Sequence, residues 1–498
     1  MGPEKSGVVR EPDSSGGVVC IALVGIANIA LQSSVLLGKA PVTSLTIFSA
    51  VVFVSIIILL LLGFRSASFS IYAIALLTSY SDVSWGGSAF KEQSSAVADM
   101  RLGPLSVAMW YLLLLSTMIF VRRDMWMPPK EQLHFAVLRE MRPLTVIAFI
   151  GILGGVARVC FAGNSLEDLA TDVFALLFVF LFLYGVLGCL SKTRIENLLR
   201  TALVLAIVSV ILNAGLGVRV NYGGQFFVPI PDIVNYLPIV ILAVLGRSRR
   251  LCICSWILYV SAAFGAGLIA PTGKLILVVM MSAVYLTMID KNSIPSGRRL
   301  IPIAAAIFGI IFFSGGIADM LDFFDYQVLA YKYRQVFAVA ALARDTPILF
   351  YSSSIGNLSA EIETVWRSLT TGEVFLGRGF GAWYRDLTGH LSMADAMAYS
   401  DQIIGSGHFR RFHLPIIEVM SWAGAIGVIA YCLMVRKLWR RIRNGTYSAL
   451  LPLTILLFTL GFLKENQLMF SLGLAYGMNG MGYRSGNSDA TLGQGPDT

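Results

Sequence analysis

The chain holds only four histidines, and three of them, His390, His408 and His413, fall close together late in the sequence. An imidazole is the usual general base near neutral pH, so each is a candidate for taking a proton from an attacking hydroxyl. His134 and His390 read as solvated or capping groups. His413 stands apart because it opens the run HLPIIEVMSWAGAIG, which ends at Gly427. Pro415 suits the first turn of a helix, and the positive end of that helix favours a neutral, proton-accepting imidazole at His413. His408 is the rival base, in GSGHFRR beside Arg410 and Arg411. Four further cations sit where an anion could be held: Arg219 in GLGVRVNYGG, Lys274 in APTGKL, and Arg367 and Arg378 in WRSLTTGEVFLGRGFG. For Arg219 the alternative is an interfacial side chain reaching to lipid headgroups. Gly377, Gly379 and Gly381 space out a tight turn; no strand precedes them, so they do not form a nucleotide loop. Cys252 and Cys254 make only a CxC without nearby histidines, and no metal site or cofactor is expected.

The elements that must position these groups follow from composition. The 498 residues are 56% hydrophobic and 13% charged, with a mean hydropathy of +0.74. A soluble domain carries about 25% charged residues, so this much apolar surface calls for a bilayer. Apolar runs of roughly 20 residues match the hydrocarbon thickness, and inside lipid they must be helical to pair their backbone groups. Spans are expected near 17–37, 44–64, 66–80, 104–121, 144–163, 169–190, 199–217, 229–246, 251–270, 273–289, 300–315, 413–435, 449–463 and 466–482. The expected fold is all-α, a polytopic transmembrane bundle of about 12–14 spans. Residues 1–315 form the bundle with its first eleven spans, 316–412 one large loop, 413–482 the C-terminal spans and 483–498 a tail.

Every second loop is basic. Arg122, Arg123, Lys130, Arg139 and Arg142 share one; Lys192, Arg194 and Arg200 the next alternate one; Arg436, Lys437, Arg440, Arg441 and Arg443 a later one. The loops between are poorer in basic residues or acidic, as at Glu167, Asp168 and Asp172. The positive-inside rule then puts both termini in the cytoplasm and residues 316–412 on the opposite, periplasmic face. It also explains the net charge of +9 without nucleic acid as a partner. Within the large loop, Tyr331 to Leu342 and Leu358 to Leu369 read as amphipathic helices, and a long ordered loop of this kind is usually functional.

The run from His413 resembles the signature of the O-antigen ligase and polymerase superfamily, in which a histidine begins a helix and two glycines follow. His413, Ile417, Glu418, Gly424 and Gly427 are in register, with Leu414 where the family usually has Asn and Ala425 where it has Leu. Trp366 followed by Gly377, Gly379 and Gly381 is similar to the family's loop helix and glycine turn; Arg219, Gly223 and Pro231 fit loosely to another motif. Thr272 and Lys274 fit a further one, with lysine in place of arginine. The resemblance covers about residues 200–430.

What the resemblance implies is a membrane glycosyltransferase of GT-C-like architecture in a bacterial inner membrane. The donor would be an oligosaccharide on undecaprenyl diphosphate. The acceptor would be a lipid-linked repeat in a polymerase of O-antigen, capsule or exopolysaccharide, or lipid A–core in a ligase. Transfer would invert the anomeric carbon without a metal. His413 would be the base; Arg219, Lys274, Arg367, Arg378, His408, Arg410 and Arg411 would be substrate-binding. Membrane lipids and a chain-length regulator complete the expected partners. The competing readings are a polysaccharide or lipid transporter or flippase, and an assembly scaffold; the scarcity of charges within the spans weighs against a transporter.

Overall fold

The structure, a computed structural model, describes residues 15–80, 101–102, 105–121, 142–222, 225–231, 249–261, 354–391, 401–410, 412 and 414–444, with single positions 234, 241, 279, 282 and 330. Among the described residues six helices are long and apolar enough to cross a membrane. They are α1 (Ser15–Leu36), α2 (Thr43–Leu61), α5 (Arg142–Phe161), α6 (Leu166–Cys189), α7 (Lys192–Gly215) and α12 (Pro415–Asn444). Shorter helices are α3 (Arg65–Leu77), α4 (Val107–Val121) and α8 (Arg249–Val260). The chain is thus a multi-pass helical membrane protein. The expected spans at 17–37, 44–64, 144–163, 169–190, 199–217 and 413–435 fall on these six helices. Those at 66–80 and 104–121 fall on α3 and α4, and the first half of that at 251–270 falls on α8, its residues 262–270 lying outside the described residues. The spans at 273–289, 300–315, 449–463 and 466–482, most of 229–246, and the helix at Tyr331 to Leu342 lie outside the described residues.

Two kinds of contact hold the bundle. An aromatic cluster joins α3, α4 and α6: the Tyr72 and Tyr111 rings lie 4.6 Å apart and Phe69 and Phe182 5.3 Å apart. Elsewhere polar side chains tie helices together. Ser33 of α1 donates to Asn213 Oδ1 of α7 at 2.6 Å, and Asn213 Nδ2 donates to Tyr80 Oη at 2.7 Å and to the Pro229 carbonyl at 3.0 Å. Asn28 Nδ2 reaches Thr78 Oγ1 at 3.0 Å, and the Tyr80 amide donates to Gln32 Oε1 at 2.8 Å. In an interior without water such groups must find one another. Away from these contacts the helices turn apolar side chains outward, as with Val51 and Ile58 on α2, Phe149 and Leu153 on α5, and Ile429 on α12.

The remaining described elements are small. Hairpins β1 (Arg101–Leu102) with β2 (Leu105–Ser106) and β3 (Val220–Tyr222) with β4 (Gln225–Phe227) are antiparallel. The late segment holds α9 (Ser354–Ser368), α10 (Thr371–Leu376), β5 (Tyr384–Arg385), α11 (Asp401–Ser406) and β6 (His408–Phe409), with β5 and β6 paired antiparallel. Helix α9 is the amphipathic helix expected over Leu358 to Leu369. It packs on a separate small core of Ala360, Val365, Ala382, Tyr384, Leu391, Phe409 and Phe412.

Candidate functional site

The segment from Thr370 to Arg385 is built to lie against transmembrane helices. Its helix α10 is capped by Thr370, whose amide donates to Glu373 Oε2 at 2.8 Å. The chain then turns through three glycines at positive φ: Gly377 (71°), Gly379 (84°) and Gly381 (73°). Only glycine takes these angles without steric cost, and here each also lacks room for a side chain. A Cβ on Gly377 would sit 2.5 Å from the Ala423 nitrogen, one on Gly379 2.1 Å from the Gly155 nitrogen, and one on Gly381 2.6 Å from the Leu169 nitrogen. The neighbours on α5 are themselves glycines, Gly151, Gly154 and Gly155, and the Phe380 ring lies where a Gly151 side chain would be. A Gly-x-x-x-Gly pattern in a membrane helix usually admits another helix; this one admits a loop.

The backbone hydrogen bonds explain how irregular chain is tolerated there. Helix α12 is broken at Gly424 (φ 59°, ψ −156°). The Ser421 and Trp422 carbonyls, which an unbroken helix would offer to residues 425 and 426, accept from the Arg378 amide at 2.8 Å and the Gly379 amide at 3.1 Å. The Tyr384 hydroxyl adds a bond to the Ser421 carbonyl at 2.8 Å. The Phe380 amide donates to the Gly151 carbonyl at 2.8 Å and the Gly381 amide to Asp172 Oδ2 at 2.8 Å. Every amide from Arg378 to Gly381 therefore has a partner on a transmembrane helix.

Charges gather around this turn. Glu373 accepts from Arg158 of α5 and pairs with Arg378 Nε at 3.3 Å. Arg378 also donates to the Ser368 and Trp383 carbonyls and lies over the Tyr384 ring at 4.7 Å. Arg410 pairs with Asp168 of α6, which also accepts from Trp383 Nε1 at 2.9 Å; the Arg410 guanidinium lies 5.5 Å from the Trp383 ring centre. Burial works to raise the Glu373 pKa, but the Thr370 hydrogen bonds and the Arg378 charge outweigh it and hold the carboxyl below the ordinary glutamate value. Burial pushes the Tyr384 phenol up, so it stays a neutral donor.

The residues singled out from the sequence fall into three groups. Arg378 and Arg410 are brought to the glycine turn, each already paired with a carboxylate and mostly enclosed. Arg367 forms an exposed ion pair with Glu363 at 2.7 Å, and Glu363 Oε2 also lies 2.9 Å from His390 Nδ1. His408 is exposed, its Nδ1 2.8 Å from the Ser406 carbonyl. Arg219 is exposed beside β3, just beyond the end of α7. His413, Arg411 and Lys274 lie outside the described residues; Phe412 and Pro415, on either side of His413, are both buried. Sequence reasoning missed Arg158, Asp168, Glu373 and Trp383 as members of one cluster. The Gly151-x-x-x-Gly155 pattern on α5 was the available signal for where a partner would dock. Among the described residues no three His, Cys, Asp or Glu side chains cluster as a metal site would need.

Fold and site together define a multi-pass helical membrane protein with a structured, charged loop seated on its bundle. Comparison with protein-family models and with curated proteins gives no match for this chain.

Proposed function

We infer that the chain is a membrane glycosyltransferase that moves an oligosaccharide from undecaprenyl diphosphate to a glycan acceptor, in polymerising a surface polysaccharide or ligating it to lipid A–core. One observation carries the reading. The two stretches that resemble the O-antigen ligase and polymerase superfamily, the Gly377–Gly381 turn and the run from His413 to Gly427, pack directly on each other. Arg378 and Gly379 bond to Ser421 and Trp422, and Gly377 abuts Ala423 and Gly424. Two motifs more than thirty residues apart thus belong to one unit, as a shared active site requires.

In this reading the acceptor hydroxyl attacks the anomeric carbon as His413 takes its proton. The bond from that carbon to the diphosphate oxygen breaks, its electrons leaving with the lipid diphosphate, and the configuration inverts. Fixed cations near the leaving oxygen stabilise the charge that develops there. Arg219 and Lys274 are the first choices, since Arg378 and Arg410 are held by Glu373 and Asp168. The loop then faces the periplasm of a bacterial inner membrane, with both termini cytoplasmic.

The test uses purified protein with lipid-linked donor. A catalytic base contributes roughly 10²–10⁴-fold, so His413→Ala should lower transfer by that factor; activity within about threefold of wild type overturns the role. A dead His408→Ala beside an active His413→Ala moves the base to His408. A second reading, a polysaccharide or lipid transporter or flippase, is favoured by the break in α12 at Gly424 beside non-helical backbone, since transporters build sites from discontinuous helices. Deleting the gene separates the readings. Loss of chain length marks a polymerase, full-length glycan left on its carrier a ligase, and precursor accumulating on the cytoplasmic face a flippase.

A further inference from the structure

We propose that residues 370–383 form a re-entrant element that enters the bilayer from the loop side and returns, with Phe375 and Leu376 in contact with lipid acyl chains. The proposal rests on the spanning of α5 and α12 and is independent of the glycosyl-transfer reading.

Depth can be measured along both helices. α5 has 20 residues, about the 30 Å of a hydrocarbon core, so its ends mark the two edges. Glu373 meets Arg158, three residues or about 4–5 Å from the Phe161 end. Gly379 meets Gly155 and Gly154, six and seven residues or about 10 Å from that end. The Phe380 backbone lies against Gly155 at the same depth, its amide bonding the Gly151 carbonyl, while its ring reaches Gly151, ten residues or about 15 Å in and near the midplane. The second ruler agrees. Phe375 and Gly377 abut Gly424, nine residues or about 13 Å from the Pro415 end of α12. The chain then climbs back, for the Gly381 carbonyl accepts from Asn164, beyond the end of α5.

The chemistry fits that path. Non-helical backbone is tolerated at membrane depth only where protein satisfies it, and the amides of residues 378–381 all have helix partners. The Arg378 guanidinium does not stay at the depth of its backbone. It reaches back to the Ser368 and Trp383 carbonyls, one on each arm of the element, closing its mouth. Glu373 and Arg158 pair near the edge of the core. What the turn leaves outward is apolar: Phe375 is 58% and Leu376 55% exposed. The two helices that seat the turn also expose apolar side chains, Phe149, Leu153 and Val156 on α5 and Ile426 and Ile429 on α12, which names the bilayer itself as the occupant.

The full-length protein in its native membrane tests this with a benzophenone amino acid placed at Phe375, at Leu376 and, as a control, at Leu387, which is also exposed. Irradiation should yield adducts with phospholipid acyl chains at positions 375 and 376 and not at 387, read by mass spectrometry. A second readout replaces Phe375 or Leu387 with cysteine and labels membranes with a membrane-impermeant maleimide after both faces are made accessible; Leu387→Cys should label above the parent protein and Phe375→Cys should not. Lipid adducts absent from 375 and 376, or maleimide labelling at 375 equal to that at 387, overturns the proposal.

Discussion

Replacing Gly379 by alanine separates the two reasons that position must be glycine. The first is conformational: at φ 84° a side chain costs about 1–2 kcal/mol. The second is contact. The new Cβ would lie 2.1 Å from the Gly155 nitrogen and 2.3 Å from the Gly154 carbonyl carbon, both backbone atoms that no rotamer change can move. Relief requires the loop to retreat from α5 by about 1 Å, the scale of overpacking that costs about 1–3 kcal/mol. That retreat stretches the Phe380 bond to the Gly151 carbonyl from 2.8 Å to beyond hydrogen-bonding reach. A bond lost where no water can replace it adds about 1–3 kcal/mol, so the expected loss is about 3–8 kcal/mol. Two other glycines calibrate it. Gly389 has φ 74° but open space around it, so Gly389→Ala should cost only the conformational share, about 1–2 kcal/mol. Gly372, inside α10 with open space, should be unchanged or slightly stabilised as alanine, by up to about 1 kcal/mol. Thermal unfolding of the three variants in lipid nanodiscs should rank Gly372→Ala highest, Gly389→Ala next and Gly379→Ala lowest. If Gly379→Ala matched Gly389→Ala, the seat of the loop on α5 would be wrong.

Asn213→Ala should lower thermal stability by about 1–3 kcal/mol, because it removes the buried donor to the Pro229 carbonyl and takes one partner each from the Ser33 and Tyr80 hydroxyls. Glu373→Gln should destabilise at neutral pH by leaving Arg158 and Arg378 facing each other without a counter-charge. Because the folded carboxyl is held below the ordinary glutamate value of 4.5, the difference from wild type should be constant above that pH. It should shrink as the pH falls from that value through the lowered folded one, and a melting series from pH 7 downward checks both parts. Reporter fusions at Ser353 and Asn444 should read periplasmic and cytoplasmic respectively; the opposite reading at either would reverse the membrane orientation and remove the proposed site from the periplasm.

The transmembrane helices were legible in the sequence because their cause is local. A run such as Thr43–Leu61 can satisfy its backbone in lipid only as a helix, whatever surrounds it. The amphipathic α9 and the glycine turn were legible for the same reason, one through its period and the other through a conformation only glycine takes freely. What the cations near the turn do was not. Arg378 and Arg410 read as free charges along the chain, yet their carboxylates are Glu373 and, 242 residues away, Asp168. Nor was the depth of the turn legible. A hydropathy reading averages over neighbours in sequence, and GEVFLGRGFG, with its Glu373 and Arg378, falls short of a membrane-spanning run and reads as part of the loop. Its place against α5 and α12 depends on carbonyls at Gly151, Ser421 and Trp422 and on the missing side chains of Gly154 and Gly155. Those partners come from helices far apart in the chain, and they meet the turn only once the bundle has formed.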